Sequence, residues 1–155
     1  MEERRDKINY YLDIAEAVLG RGTCIRRNYG AVIVRNDEIV STGYTGSPRQ
    51  KANCSDLGNC MRKKLNVKSG SNYELCKSVH AEQNCIISAR RSDMIGSVLY
   101  LCGKEFSNKE YVRGAQPCII CKKMIINTGI EKVIVRETKD KYAIIEVKSW
   151  LVEDF

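Results

Sequence analysis

"PCIICKKMIINTGIEKVIVRE", residues 117–137, reads as a helix followed by a strand. Pro117 suits the start of a helix because it has no N–H to leave unpaired, and Gly129 ends the apolar run that follows. The same order precedes it. "VHAEQNCIISARR", residues 79–91, sets Ala81, Cys85, Ile86 and Ala89 on one helical face, and "GSVLYLCG", residues 96–103, is an apolar run of strand length. Two successive helix–strand units imply a sheet with helices packed on it.

Toward the N-terminus, Ile8, Leu12, Ala15, Val18 and Leu19 recur at helical spacing and stop at Gly20, which predicts an amphipathic first helix. "GAVIVRNDEIVSTGY", residues 30–44, reads as an antiparallel hairpin turning at Asn36-Asp37. Residues 46–77 form a turn-rich, basic, cysteine-containing insert of loop and short helical pieces, and "YAIIEVKSWLVEDF", residues 142–155, predicts a last strand and helix. The order α, β-hairpin, α, β, α, β, β, α gives an α/β fold with a mixed sheet and helices on its faces. No fixed repeat and no linker composition interrupts it, so one domain over residues 1–155 is expected.

No apolar run reaches the roughly 18 residues of a membrane span, and the first twenty residues alternate charge where a secretory peptide would be apolar. A soluble, cytosolic protein with no membrane partner is expected. In that setting eight cysteines are metal ligands or redox groups more often than a disulfide framework. The net charge of +7 is scattered along the chain, which suits a phosphorylated small substrate or a nucleic acid as well as a plain solvated surface. Tyr29, Tyr44, Tyr73 and Tyr111 lie near basic residues, but tyrosines in loops pack more often than they stack on bases, so nucleic acid is not the expected partner.

The chemistry concentrates in two places. His80, the only histidine, opens one helix with Glu82 two residues on, and Cys118 and Cys121 open another at C-x-x-C spacing. Alone, the first is as well read as a polar helix start, and the second as a redox pair or half a zinc ribbon. Together they make a Cys₂His set, which leaves a fourth tetrahedral position open as catalytic zinc sites do. H-x-E on one helix and P-C-x-x-C on the next, with a strand between, is the two-part signature of zinc deaminases of nucleobases. Two thiolates cancel the charge of Zn²⁺, and the N–H groups at the helix starts favour thiolate. Glu82 sits close enough to move protons between water, N3 of a pyrimidine and the departing amino group without binding the metal.

With "YGAVIV", "STGYTGSPR", "NC" followed by "CMR", "VHAEQN", "GSVLYL" and "PCIICKKMIINTGIEKVIV" in this order, the chain resembles the deoxycytidylate (dCMP) deaminase family of the cytidine deaminase-like superfamily. The resemblance runs from about Ile8 to about Val135. It implies a three-layer α-β-α cytidine deaminase-like fold around a mixed sheet of about five strands, and hydrolysis of dCMP to dUMP for thymidylate synthesis. It also implies a homo-oligomer, a dimer or hexamer, regulated by dCTP and dTTP. The family's zinc ligands carry onto His80, Cys118 and Cys121, and its proton shuttle onto Glu82. Its substrate contacts carry onto the loop around Thr45, Gly46, Ser47 and Pro48, onto Ala81, and onto Arg26 or its neighbour Arg27 for the phosphate.

Three departures accompany the likeness. Thr45 stands where the family's loop reads G-Y-N-G, so an amide able to donate and accept is absent. The segment before P-C-x-x-C is long, and the C-terminus lacks the expected glycine-containing ending. Thr45 keeps open a nucleoside, a modified cytosine nucleotide or a nucleic-acid base as substrate; a non-catalytic zinc or nucleotide-binding module is the remaining alternative, against which Glu82 stands. Cys24, Cys54, Cys60 and Cys76 flank the insert and are either a second, structural zinc site or ordinary small residues, as Cys85 and Cys102 are expected to be.

Overall fold

The computed structural model describes residues 3–155 and builds one five-stranded sheet in the order β2-β1-β3-β4-β5. The helix α1 (Lys7–Leu19) leads into the hairpin β1 (Arg27–Arg35) and β2 (Glu38–Tyr44). Asn36 and Asp37 both adopt positive φ, 50° and 60°, the conformation a two-residue turn needs to follow the strands' twist. The insert contributes two single-turn helices, α2 (Cys54–Leu57) and α3 (Met61–Lys64), and a 3₁₀ turn over Tyr73–Leu75. Helices α4 (Ala81–Ile87) and α5 (Arg91–Met94), β3 (Val98–Glu105), α6 (Ile119–Thr128), β4 (Lys132–Arg136) and β5 (Tyr142–Glu146) follow, before a closing 3₁₀ helix over Val147–Val152.

β3 pairs antiparallel with β1 and parallel with β4, so the α6 crossover makes the sheet mixed as the sequence order implies. Side chains alternate across it. Ala31, Ile33, Leu99, Leu101, Val133 and Val135 face α4, α6 and Trp150, while Val32, Val34, Tyr100, Cys102 and Ile134 face Tyr11, Leu12 and Ala15 of α1. These are the three layers. Two glycines let the helices in: a β-carbon on Gly30 would stand 2.0 Å from the Ala15 carbonyl, and one on Gly43 2.4 Å from the Cys85 amide nitrogen. Cys85 and Cys102 are fully buried core residues, as expected.

Local departures have physical causes. The helix predicted through Arg91 stops at Ile87, which is 70 % exposed, and the break at Ser88 turns the chain so that Met94 enters the core. Pro117 lies two residues before α6, next to its N-cap Cys118, and Gly129 closes that helix at φ 85°. The C-terminal helix is 3₁₀ and buries Trp150. Among the described residues no helix is long and apolar enough to cross a membrane.

Candidate functional site

His80 and Cys118 are the N-caps of α4 and α6, so the two helix starts converge on one point. The His80 N–H donates to Gln83 Oε1 at 2.8 Å, fixing the entry to α4. His80 Nδ1 lies 3.5 Å from Cys118 Sγ and 3.4 Å from Cys121 Sγ, and the three ligand atoms lie within 4.8 Å of one another. Bond lengths of about 2.3 Å to sulfur and about 2.0 Å to nitrogen give a tetrahedral S···N edge of about 3.5 Å. The donor set and its spacing therefore fit zinc, with Nδ1 as the histidine's ligating atom.

Electrostatics bear on the same groups. The Cys118 thiol is held well below the ordinary thiol range, first by the hydrogen bond from the Cys121 thiol and then, against burial, by His80. The hydrogen bond to Cys118 in turn raises His80. Glu82, in the first turn of α4, is only 5 % exposed; burial pushes its carboxyl up, opposed by His80.

A cleft of about 580 Å³ opens over these residues and is lined by Arg26, Arg27, Tyr29, Thr45, Arg62, Tyr73, Ala81, Glu82 and others. Arg27 is engaged by Glu105 at 2.7 Å, whereas Arg26 enters none of the side-chain ion pairs of the described residues. Thr45 faces the cleft, but Gly46, Ser47 and Pro48 do not line it. The backbone of Gly46 is used elsewhere: it pairs with Val79 in both directions, at 3.2 and 2.7 Å, and so anchors the approach to His80.

The model of the cytidine and deoxycytidylate deaminase zinc-binding region matches residues 5–137. The chain belongs to that family. It is 35 % identical over 136 residues to the deoxycytidylate deaminase of Mycobacterium phage D29, covering 84 % of this chain and 94 % of the phage protein. It is 29 % identical to the deoxycytidylate deaminase of Schizosaccharomyces pombe over 81 % of this chain, which spans 35 % of that longer protein. The dCMP deaminase of cyanophage S-TIM5 superposes with a TM-score of 0.59 at 26 % identity, over 89 % of this chain and 88 % of that one.

Several walls of this deaminase-family cleft carry no motif in the sequence. Arg62, Lys63, Ser69, Gly70 and Tyr73 arrive from the insert, and Glu105, Ser107 and Gln116 from β3 and the segment after it. The one usable signal is that the basic run "MRKK" and Tyr73 lie between the substrate loop and His80. Cys24, Cys60 and Cys76 also line the cleft, with Cys54 buried near them. Among the described residues, His80, Cys118 and Cys121 form the one set of three possible ligands mutually within 4.8 Å.

Proposed function

We propose that this chain hydrolyses the 4-amino group of deoxycytidylate, giving deoxyuridylate and ammonia and so supplying thymidylate synthesis. The observation that carries the reading is a buried carboxyl, Glu82, set beside the His80, Cys118 and Cys121 triangle in a chain of the deaminase family. A structural zinc site has no use for such a carboxyl.

His80, Cys118 and Cys121 would hold the zinc, which when bound supplies a Lewis acid that activates water. Glu82 carries one of the water's two protons to N3 of the pyrimidine and the other to the departing amino nitrogen. Burial keeps its carboxyl easy to protonate, which that shuttle requires. Arg26 supplies a cation for the phosphate, and the cleft volume lies within the usual range of small-molecule sites. Thr45 and Ala81 line the cleft where the nucleoside portion would lie.

Ammonia release from dCMP, CMP, deoxycytidine and cytidine, each with and without dCTP, tests the reading on zinc-loaded protein. Preference for dCMP supports it; no turnover of any of the four with zinc present defeats it. Stimulation by dCTP and reversal by dTTP would support effector control, and light scattering would separate a dimer from a hexamer. A cytosolic enzyme is part of the same proposal, and fractionation of cells tests it.

The insert cysteines are proposed as a second, structural zinc site. The Ser55 N–H donates to the Thr23 carbonyl at 3.1 Å and so brings Cys54 beside Cys24, and Cys24, Cys76 and Cys60 all raise the Cys54 thiol beyond the effect of its burial. The Arg26 N–H points at Cys24 Sγ at 3.4 Å, the kind of bond a ligating thiolate receives. The four thiols are not mutually at ligand spacing as His80, Cys118 and Cys121 are, so binding would have to draw them together. Two zinc ions per chain in reductant would support the second site, and one per chain would dismiss it.

A further inference from the structure

Arg62 is only 7 % exposed although it is a cation in a surface insert. Burying a guanidinium is costly unless its N–H groups find acceptors. Here Nη1 donates to the Asn72 carbonyl at 2.8 Å and Nη2 to the Lys68 carbonyl at 3.0 Å. The chain wraps around it: the Val67 N–H returns to the Arg62 carbonyl at 2.9 Å, and Asn66, Gly70 and Asn72 supply left-handed corners at φ 53°, 79° and 49°. Asparagine and glycine take that conformation at least cost. The guanidinium thus stands where a larger loop would have an apolar core.

Its outer face looks onto Tyr73, with Cζ 5.5 Å from the ring centroid. Tyr73 in turn meets His80 edge to face, with centroids 5.7 Å apart and planes at 80°. Arg62, Tyr73 and His80 all line the same cleft.

We infer that Arg62 is a positioning residue of this site: it closes residues 62–72 into a wall and holds Tyr73 against the His80 ring, setting the plane in which Nδ1 is presented. The inference rests on the reading of His80 as a zinc ligand. Outer-shell hydrogen-bond partners that orient a ligating histidine are worth about 10–100-fold in metal affinity, and a ring that packs on the imidazole without bonding it belongs at the low end of that range. A lysine at 62 could not bond both carbonyls in one fork.

The chain has a single histidine, so protein labelled with nitrogen-15 histidine shows one imidazole by NMR. Y73F, which keeps the ring, should leave the imidazole signals and zinc affinity near those of the parent. Y73L and R62M should broaden or multiply the imidazole signals and weaken zinc by about 10-fold, with R62K between them and the parent. Sheet amide signals check that each variant is folded; should R62M fail to fold, R62K carries the same comparison. Imidazole signals in R62M or R62K that stay single and unshifted, with parental zinc affinity, overturn the inference. A parental Nδ1 signal that does not move on adding zinc defeats the ligand reading instead. The ring-proton shift lost in Y73L then still reads the Tyr73 packing without metal, and its persistence in R62M or R62K would reject the role of Arg62.

Discussion

The Thr45 hydroxyl is closed on the backbone of Tyr29: it accepts the Tyr29 N–H at 3.0 Å and donates to the Tyr29 carbonyl at 3.4 Å. The side chain that replaces the family's amide is therefore a brace between the end of β2 and β1. T45V, which keeps the shape and removes the oxygen, leaves a partly buried N–H unpaired and should cost about 1–3 kcal/mol of stability. The preference for dCMP over CMP should stay as in the parent. Urea unfolding beside kcat/KM for both nucleotides checks this, and a selective loss of activity at unchanged stability would put the hydroxyl on the substrate.

Glu82 has the position and the raised affinity for protons that a shuttle needs, and it is not one of the three ligands. E82Q keeps the size and removes the titration. It should retain zinc by metal analysis while kcat falls by roughly 10²–10⁴-fold, the usual worth of a positioned acid–base group. Turnover near the parental rate with zinc in place would remove Glu82 from the mechanism.

What was legible in the sequence follows from what is local. His80, Cys118, Cys121 and Glu82 sit at helix starts, where spacing within one turn decides which atoms meet, so their convergence needed only the order helix, strand, helix. The strands were legible as apolar runs, but which residue faces which layer was not, because both faces of the sheet are covered and the runs are apolar throughout. Arg62 and Tyr73 were not, because their place depends on how eleven residues with three left-handed corners fold back around a guanidinium, which no periodicity records. The pairing of Arg27 with Glu105 joins neighbouring strands 78 residues apart in sequence. Gly46 enters the substrate contacts only through the family likeness, and nothing in its own sequence surroundings signals that its backbone N–H and carbonyl pair with Val79.

Gly43 sets how near α4 can come to the sheet. A β-carbon there would stand 2.4 Å from the Cys85 amide nitrogen and 2.5 Å from the Ala81 carbonyl, both backbone atoms, so G43A must push α4 outward and with it His80 and Glu82. An overpacked core costs about 1–3 kcal/mol, and a 1 Å displacement of catalytic groups about 10²-fold in rate. G30A tests the same clash on the opposite face, where the obstructing atoms belong to α1. Both variants should lose stability, but only G43A should lose kcat per folded molecule. Equal activity in the two would show that α4 adjusts without moving the site.

Arg136 at the end of β4 is 1 % exposed, and Asp13 of α1 holds it at 2.8 Å. The Asp13 carboxyl lies below its ordinary 3.8, first through hydrogen bonds from Arg5 and then, against burial, through Arg136. A folded-state value below the unfolded one means that the carboxylate stabilises the fold fully above pH 3.8 and that this contribution is lost as pH falls through the folded value. D13N should therefore lower the urea midpoint at neutral pH, leaving Glu16 at 3.4 Å as the remaining acid on Arg136. As pH falls through that folded-state value the gap between variant and parent should close, because the parent then loses the same charge by protonation. A gap that stays constant across the acid limb would show that Asp13 acts through packing and not through its charge.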